Sequence, residues 1–122
     1  MSKQVKVLTV AVDGGVDVAV VNGLEDMQKL VGGMIEPVPV ADGVEVFVNE
    51  EGKICGMEKN EKADFIFRRL GGDLFVGDYL AGPVFFTGGV DADGNTLSVA
   101  NETVERITQL SVAYDVMPFT LP

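Results

Sequence analysis

Asp91, Asp93, Asn95 and Glu102 fall at positions 1, 3, 5 and 12 of the calcium-binding helix-loop-helix pattern, whose oxygen ligands recur at that spacing. Two requirements of the pattern are missing. Position 6 is Thr96 where a glycine is needed, and Pro83 to Gly89 cannot form the incoming helix. A hairpin turn is the expectation here, and no metal site is assigned. Glu50 and Glu51 would be a carboxylate pair for acid-base chemistry, but neighbouring turn residues point into water, where nothing raises a pKa. Cys55 is the single cysteine of a chain without histidine, so it has neither a disulfide partner nor a base to activate it; a half-buried thiol in a strand is expected. The Gly-Gly pairs beginning at 14, 32, 71 and 88 match neither the P-loop nor the dinucleotide fingerprint. No catalytic residue and no cofactor is assigned, and an enzyme is the less favoured class.

The residues left for recognition sit at expected turns, caps and strand ends: Asn49, Glu50, Asn60 and Asp78. They would line a pocket, within one chain or between subunits. An asparagine amide both donates and accepts, so two of them suit a base or amide edge. Their competing roles are turn residue and helix cap.

Charge narrows the partners. Nineteen acidic against nine basic residues give a formal charge of −10, which repels phosphate backbones and anionic lipid surfaces. Direct nucleic-acid binding and membrane association are therefore not expected. The carboxylates are spread along the chain, as solvation requires, although one acidic face mimicking nucleic acid would have the same composition. The N-terminal residues have no continuous apolar run of signal-peptide or membrane-span length, and a lone cysteine suits a reducing compartment, so a cytoplasmic location is expected.

These residues must be positioned by short elements. Val5 to Val12 and Val16 to Val21 are β-branched runs broken by Asp13-Gly14-Gly15, a hairpin. Asn22 is placed to cap a helix with Leu24, Met27, Leu30 and Val31 on one face, ended by Gly32-Gly33. Met34 to Ala41 and Val44 to Val48 pair across Asp42-Gly43, with Pro37 and Pro39 marking the first as an edge strand. Gly52 is expected at positive φ in a turn returning into a strand from Lys53 to Met57. Asn60 caps a second helix with Ala63, Ile66, Phe67 and Leu70 inward, closed by Gly71-Gly72. Leu74 to Phe86 is read as a bent or bulged strand, and Asn101 as the start of the last helix. The fold class is α+β: a mixed, largely antiparallel sheet built from hairpins, with two or three short helices on one face. Val7, Leu30, Ile35, Val46, Ile66, Leu70, Val76 and Ile107 are the expected core.

With 122 residues, 47% apolar and no linker-like stretch, residues 1–122 are read as one domain burying roughly two-thirds of its unfolded surface. Residues 115–122 form an apolar tail in which Met117, Phe119 and Leu121 alternate with Pro118, Thr120 and Pro122. Docking of the tail on its own subunit is expected, with exchange between the copies of a homodimer as the rival.

Three segments carry a resemblance: Leu24 to Glu36, with its Leu30-Val31-Gly32-Gly33 string, Val48 to Lys53, and Asp73 to Asp78. Over Leu24 to about Thr87 the chain resembles a small domain-of-unknown-function family frequent in actinobacterial phages, plasmids and other mobile elements. Where that family has a leucine-proline-proline-asparagine string, this sequence has Met57-Glu58-Lys59-Asn60 and keeps only the asparagine. The resemblance implies a genomic setting and no mechanism. It makes a non-enzymatic accessory protein that binds a host protein, in the host cytoplasm, the first functional expectation. A small-molecule, nucleotide-like binding or sequestering protein is the alternative.

Overall fold

The computed structural model describes residues 4–117. Five strands and three helices follow one another as β1 (Val5–Val10), β2 (Val16–Val21), α1 (Leu24–Val31), β3 (Ile35–Ala41), β4 (Val44–Asn49), α2 (Glu61–Arg69), β5 (Val84–Thr87) and α3 (Asn101–Val116). The sheet order is β2-β1-β5-β4-β3 with every neighbouring pair antiparallel, so the expected α+β class and antiparallel sheet are found. β5, last in sequence, fills the centre between two hairpins.

Helices cover both faces of this sheet, where one face was expected. Side chains alternate along a strand, so β1 sends Val5 and Val7 to one side and Leu8 and Val10 to the other, all buried. Met27 and Val31 of α1 meet the first set together with Phe47 and Phe85, whose rings stack at 5.0 Å. Ala63, Ile66 and Phe67 of α2 and Ile107 and Leu110 of α3 meet the second set, with Val46, Val84 and Phe86. Phe85 and Phe86 are both fully buried, on opposite faces. Each such side chain contributes about 1.5–3 kcal/mol, so the central strand anchors both layers at once.

Of the expected core, Val7, Val46, Ile66 and Ile107 are buried, and Leu30, Ile35 and Leu70 are half-buried against it. Val76 is fully exposed because residues 74–83 form turns and a single bridge in place of the expected strand, which shrinks to β5. Residues 53–56 are turn and Met57 is irregular, held by Cys55 N–H to Glu51 O and Met57 N–H to Gly52 O, both 2.8 Å, and Cys55 is exposed. Gly52 does not take positive φ; Gly56 does, with φ 78°. At the end of α1 the left-handed residue is Gly32 (φ 80°) and not Gly33, whose tight neighbour is the Asn49 amide. Gly71, at φ 110°, follows α2 as expected. The cap of α1 is Gly23, and Asn22 instead donates its backbone N–H to Asp26 Oδ2. Asn101 is the first residue of α3, capped by Ala100, and the helix runs to Val116, past the expected start of the tail. The rest of the expected tail, residues 118–122, lies outside the described residues.

The two edge strands differ chemically. Met34 O accepts from Glu50 N–H, so positions 34, 36 and 38 turn their backbone groups toward β4, and 35, 37 and 39 turn theirs outward. Pro37 and Pro39 therefore stand where a free strand would offer donors, and a register shift between Pro39 and Ala41 interrupts the edge further. At the other edge, Lys6 gives its N–H to Ser98 Oγ and accepts from Val99 N–H, so its partner Val20, and with it Val16 and Val18, points backbone donors and acceptors away from the sheet. Val18 and Val20 are also more than half exposed.

Candidate functional site

A groove of about 590 Å3 opens at the β3 and β4 end of the α2 face, between Glu36 to Pro39, Val48 to Glu50 with Lys53 and Ile54, and the loop from Asp73 to Ala81. Three of the four residues expected to recognise a ligand, Asn49, Glu50 and Asp78, line it. Asn60 does not. It is fully buried behind the wall, where its Oδ1 caps α2 by accepting from Ala63 N–H at 3.1 Å and its Nδ2 donates to Val10 O and Gly82 O, both at 2.9 Å. Asn49 is buried too: Nδ2 donates to Val31 O at 3.1 Å and Oδ1 accepts from Glu51 N–H at 2.8 Å. Both amides hold structure together, and neither is an open recognition edge.

The loop wall is fixed to α2. Asp64, largely buried, accepts from Arg68 Nε at 2.8 Å and from Leu80 N–H at 3.2 Å, while Arg68 Nη2 donates to Asp78 O at 3.1 Å. Leu80 O accepts from Asn60 N–H and Glu58 O from Gly82 N–H, each at 2.8 Å. From Asp78 to Gly82 the wall is preorganised, because these bonds are in place before any ligand arrives.

Val38, Val48, Leu74 and Leu80 supply apolar surface and belong to the α2-side core cluster. The rim carries Glu36, Glu50, Asp73 and Asp78 against a single lysine, Lys53. Lys53 Nζ is bonded to Asp78 and lies 5.2 Å from the centre of the Tyr79 ring. That bond, helped by the Tyr79 N–H, holds the Asp78 carboxyl below the usual range. Phe75 and Ile54 stand on the rim almost wholly exposed, at 89% and 86%. Sequence reasoning missed Phe75, Ile54, Lys53 and Asp73 as site residues because it placed them in strands or gave them no role. The signal was the turn chemistry of Gly77-Asp78, where Asp78 N–H closes on Phe75 O at 2.9 Å with Gly77 at φ 86°.

At the calcium-like loop, Asp91 Oδ1 accepts from the N–H groups of Asp93 and Asn95, both at 2.9 Å, and Val90 bridges Thr96. These bonds use a carboxylate oxygen to build a turn. Among the described residues no group of three or more His, Cys, Asp or Glu side chains is placed to hold a metal ion, and no helix is long and apolar enough to cross a membrane.

A family model described as a domain of unknown function, DUF3846, matches residues 5–111. The chain belongs to the DUF3846 family. The match spans every described strand and helix apart from residues 112–116 of α3, and includes all the groove residues. No curated protein and no solved structure matches the chain.

Proposed function

We propose that this DUF3846 protein is a non-enzymatic accessory protein of a phage or other mobile element, and that it binds a protein of its host cell through the groove beside β3. One observation carries the reading. Two of the three segments that bear the resemblance to mobile-element proteins meet here, Val48, Glu50 and Lys53 from the second and Asp73, Phe75 and Asp78 from the third, and the first reaches the groove with its last residue, Glu36. Exposed Phe75 and Ile54 beside the fastened Asp78 to Gly82 wall are the kind of anchors that protein interfaces use.

Affinity capture from host lysate tests this with two baits, the natural protein and a Phe75→Asp, Ile54→Asp variant, which should fold normally because both sites are exposed. A host protein retained by the first and lost from the second is the expected result. The same proteins on both baits would remove the groove from the function. A nucleotide-like small molecule is the second reading, favoured by a groove volume within the range of ligand pockets. It is weakened by the engagement of the Asn49 and Asn60 amides within the fold. A nucleotide panel that raised the melting temperature would support it.

A further inference from the structure

We propose that the occupant of the groove is a cationic, extended segment of a partner protein, in which one apolar side chain packs against Phe75 and Ile54 and neighbouring Lys or Arg side chains meet the carboxylate rim. The inference rests on the groove being a protein-binding site and names the chemistry of what enters it.

Charge is the first ground. Among the described residues, none of the ion pairs involves Glu36, Glu50 or Asp73. Lys53 is already engaged by Asp78. An incoming anion would meet Glu36, Glu50 and Asp73, none of them in an ion pair although Asp73 lies in the field of Arg68, and a lysine already engaged, whereas a cation meets complementary charge. The formal charge of −10 adds long-range attraction for a basic segment and repulsion for an acidic one.

Hydrogen bonding is the second, independent ground. Where the free edge of β3 borders the groove it presents the carbonyls of 37 and 39, and as prolines these two residues have no N–H to offer. Beside the groove, the Pro37 and Pro39 carbonyls are acceptors with no donor of their own residue, which suits guanidinium and ammonium groups, since these only donate. Phe75 supplies the third element, since an exposed aromatic face beside carboxylates takes both an aliphatic side chain and the flat of an arginine.

Fluorescence anisotropy with three labelled, end-capped peptides of equal length tests the assignment: alternating arginine and leucine, alternating glutamate and leucine, and alternating arginine and serine. The arginine-leucine peptide should bind. Its Kd should rise about tenfold between low and high salt, and again about tenfold in a Glu36→Lys, Asp73→Lys variant. Phe75→Ser should weaken it severalfold, with unchanged melting temperatures confirming that these exposed positions leave the fold intact. Equal binding of the glutamate peptide would overturn the charge argument, and equal binding of the arginine-serine peptide would overturn the apolar anchor. If groove-dependent lysate capture succeeds while no arginine peptide binds, the cationic segment is wrong and the protein-binding function stands. If capture also fails, both fall.

Discussion

Replacing Asn60 with alanine probes the point where the groove wall is fastened to the sheet. The side chain is fully buried and makes three hydrogen bonds, one capping α2 at Ala63 and two reaching the carbonyls of Val10 and Gly82. Loss of the cap should remove about 1 kcal/mol. Loss of the donor to two buried carbonyls should remove about 1 kcal/mol for each. The total of about 3 kcal/mol corresponds to a fall in Tm of about 10 °C for a chain of this length. Equilibrium urea unfolding should show a lower midpoint with unchanged slope. Asn60→Asp sharpens the test, because it keeps the cap acceptor but turns a carboxylate oxygen toward two carbonyl oxygens. At neutral pH it should be no more stable than the alanine variant. Its folded-state pKa should lie above the unfolded one, so stability should return as the pH falls and the acid gains an O–H donor. A loss below about 0.5 kcal/mol in the alanine variant, or an aspartate variant as stable as the natural protein at neutral pH, would refute this account of the wall.

Three further outcomes follow from packing and charge. Ile66→Ala should lower unfolding stability by about 2–5 kcal/mol, and Leu70→Ala by less, since Ile66 is fully buried and Leu70 half-buried; equal losses in urea titrations would contradict that difference. Gly88→Ala should remove at least about 2 kcal/mol, read by thermal unfolding, because the new Cβ would stand 2.1 Å from the backbone oxygen of Ser98, which cannot yield as a side chain would. Burial raises the Glu45 carboxyl pKa and leaves Oε1 without a hydrogen-bond partner, so its contribution to stability is complete below the ordinary carboxylate pKa and is lost as pH rises through the folded value. Glu45→Gln should raise Tm at neutral pH, with the gain shrinking toward about pH 4; a gain independent of pH would show that the carboxyl is solvated.

What was legible in the sequence is what neighbouring residues decide. Asn60 followed by Ala63, Ile66 and Phe67 identifies α2, its cap and its buried face, and Asp42-Gly43 identifies the β3–β4 hairpin. Ile54 and Val76 misled because β-propensity expresses a side chain's fit to a pleated, partly buried surface, and both sit in turns where there is none. The insertion of β5 between β1 and β4 is a long-range event with no local mark. Coverage of both faces did have a trace, the apolar residues of β1 at both parities, Val5 and Val7 on one and Leu8 and Val10 on the other, which a strand solvated on one side would not carry. Asn49, Glu50 and Asp78, expected at turns and strand ends, line the groove, but the use of both asparagine amides inside the fold depends on Val31, Val10 and Gly82, which no spacing rule connects to them.

The unequal edges of the sheet limit how copies of the protein could polymerise. In the language of chain growth, each domain has a valence of one: the β2 edge has donors, acceptors and exposed valines, while β3 is terminated by its prolines. Two copies pairing through β2 would leave a β3 edge at each outer end, and a third copy would find no competent strand to join. Growth would stop at the dimer without help from any surface charge. Pro37→Val with Pro39→Val would raise the valence to two, and a terminated pair would become a repeat unit open to fibril growth.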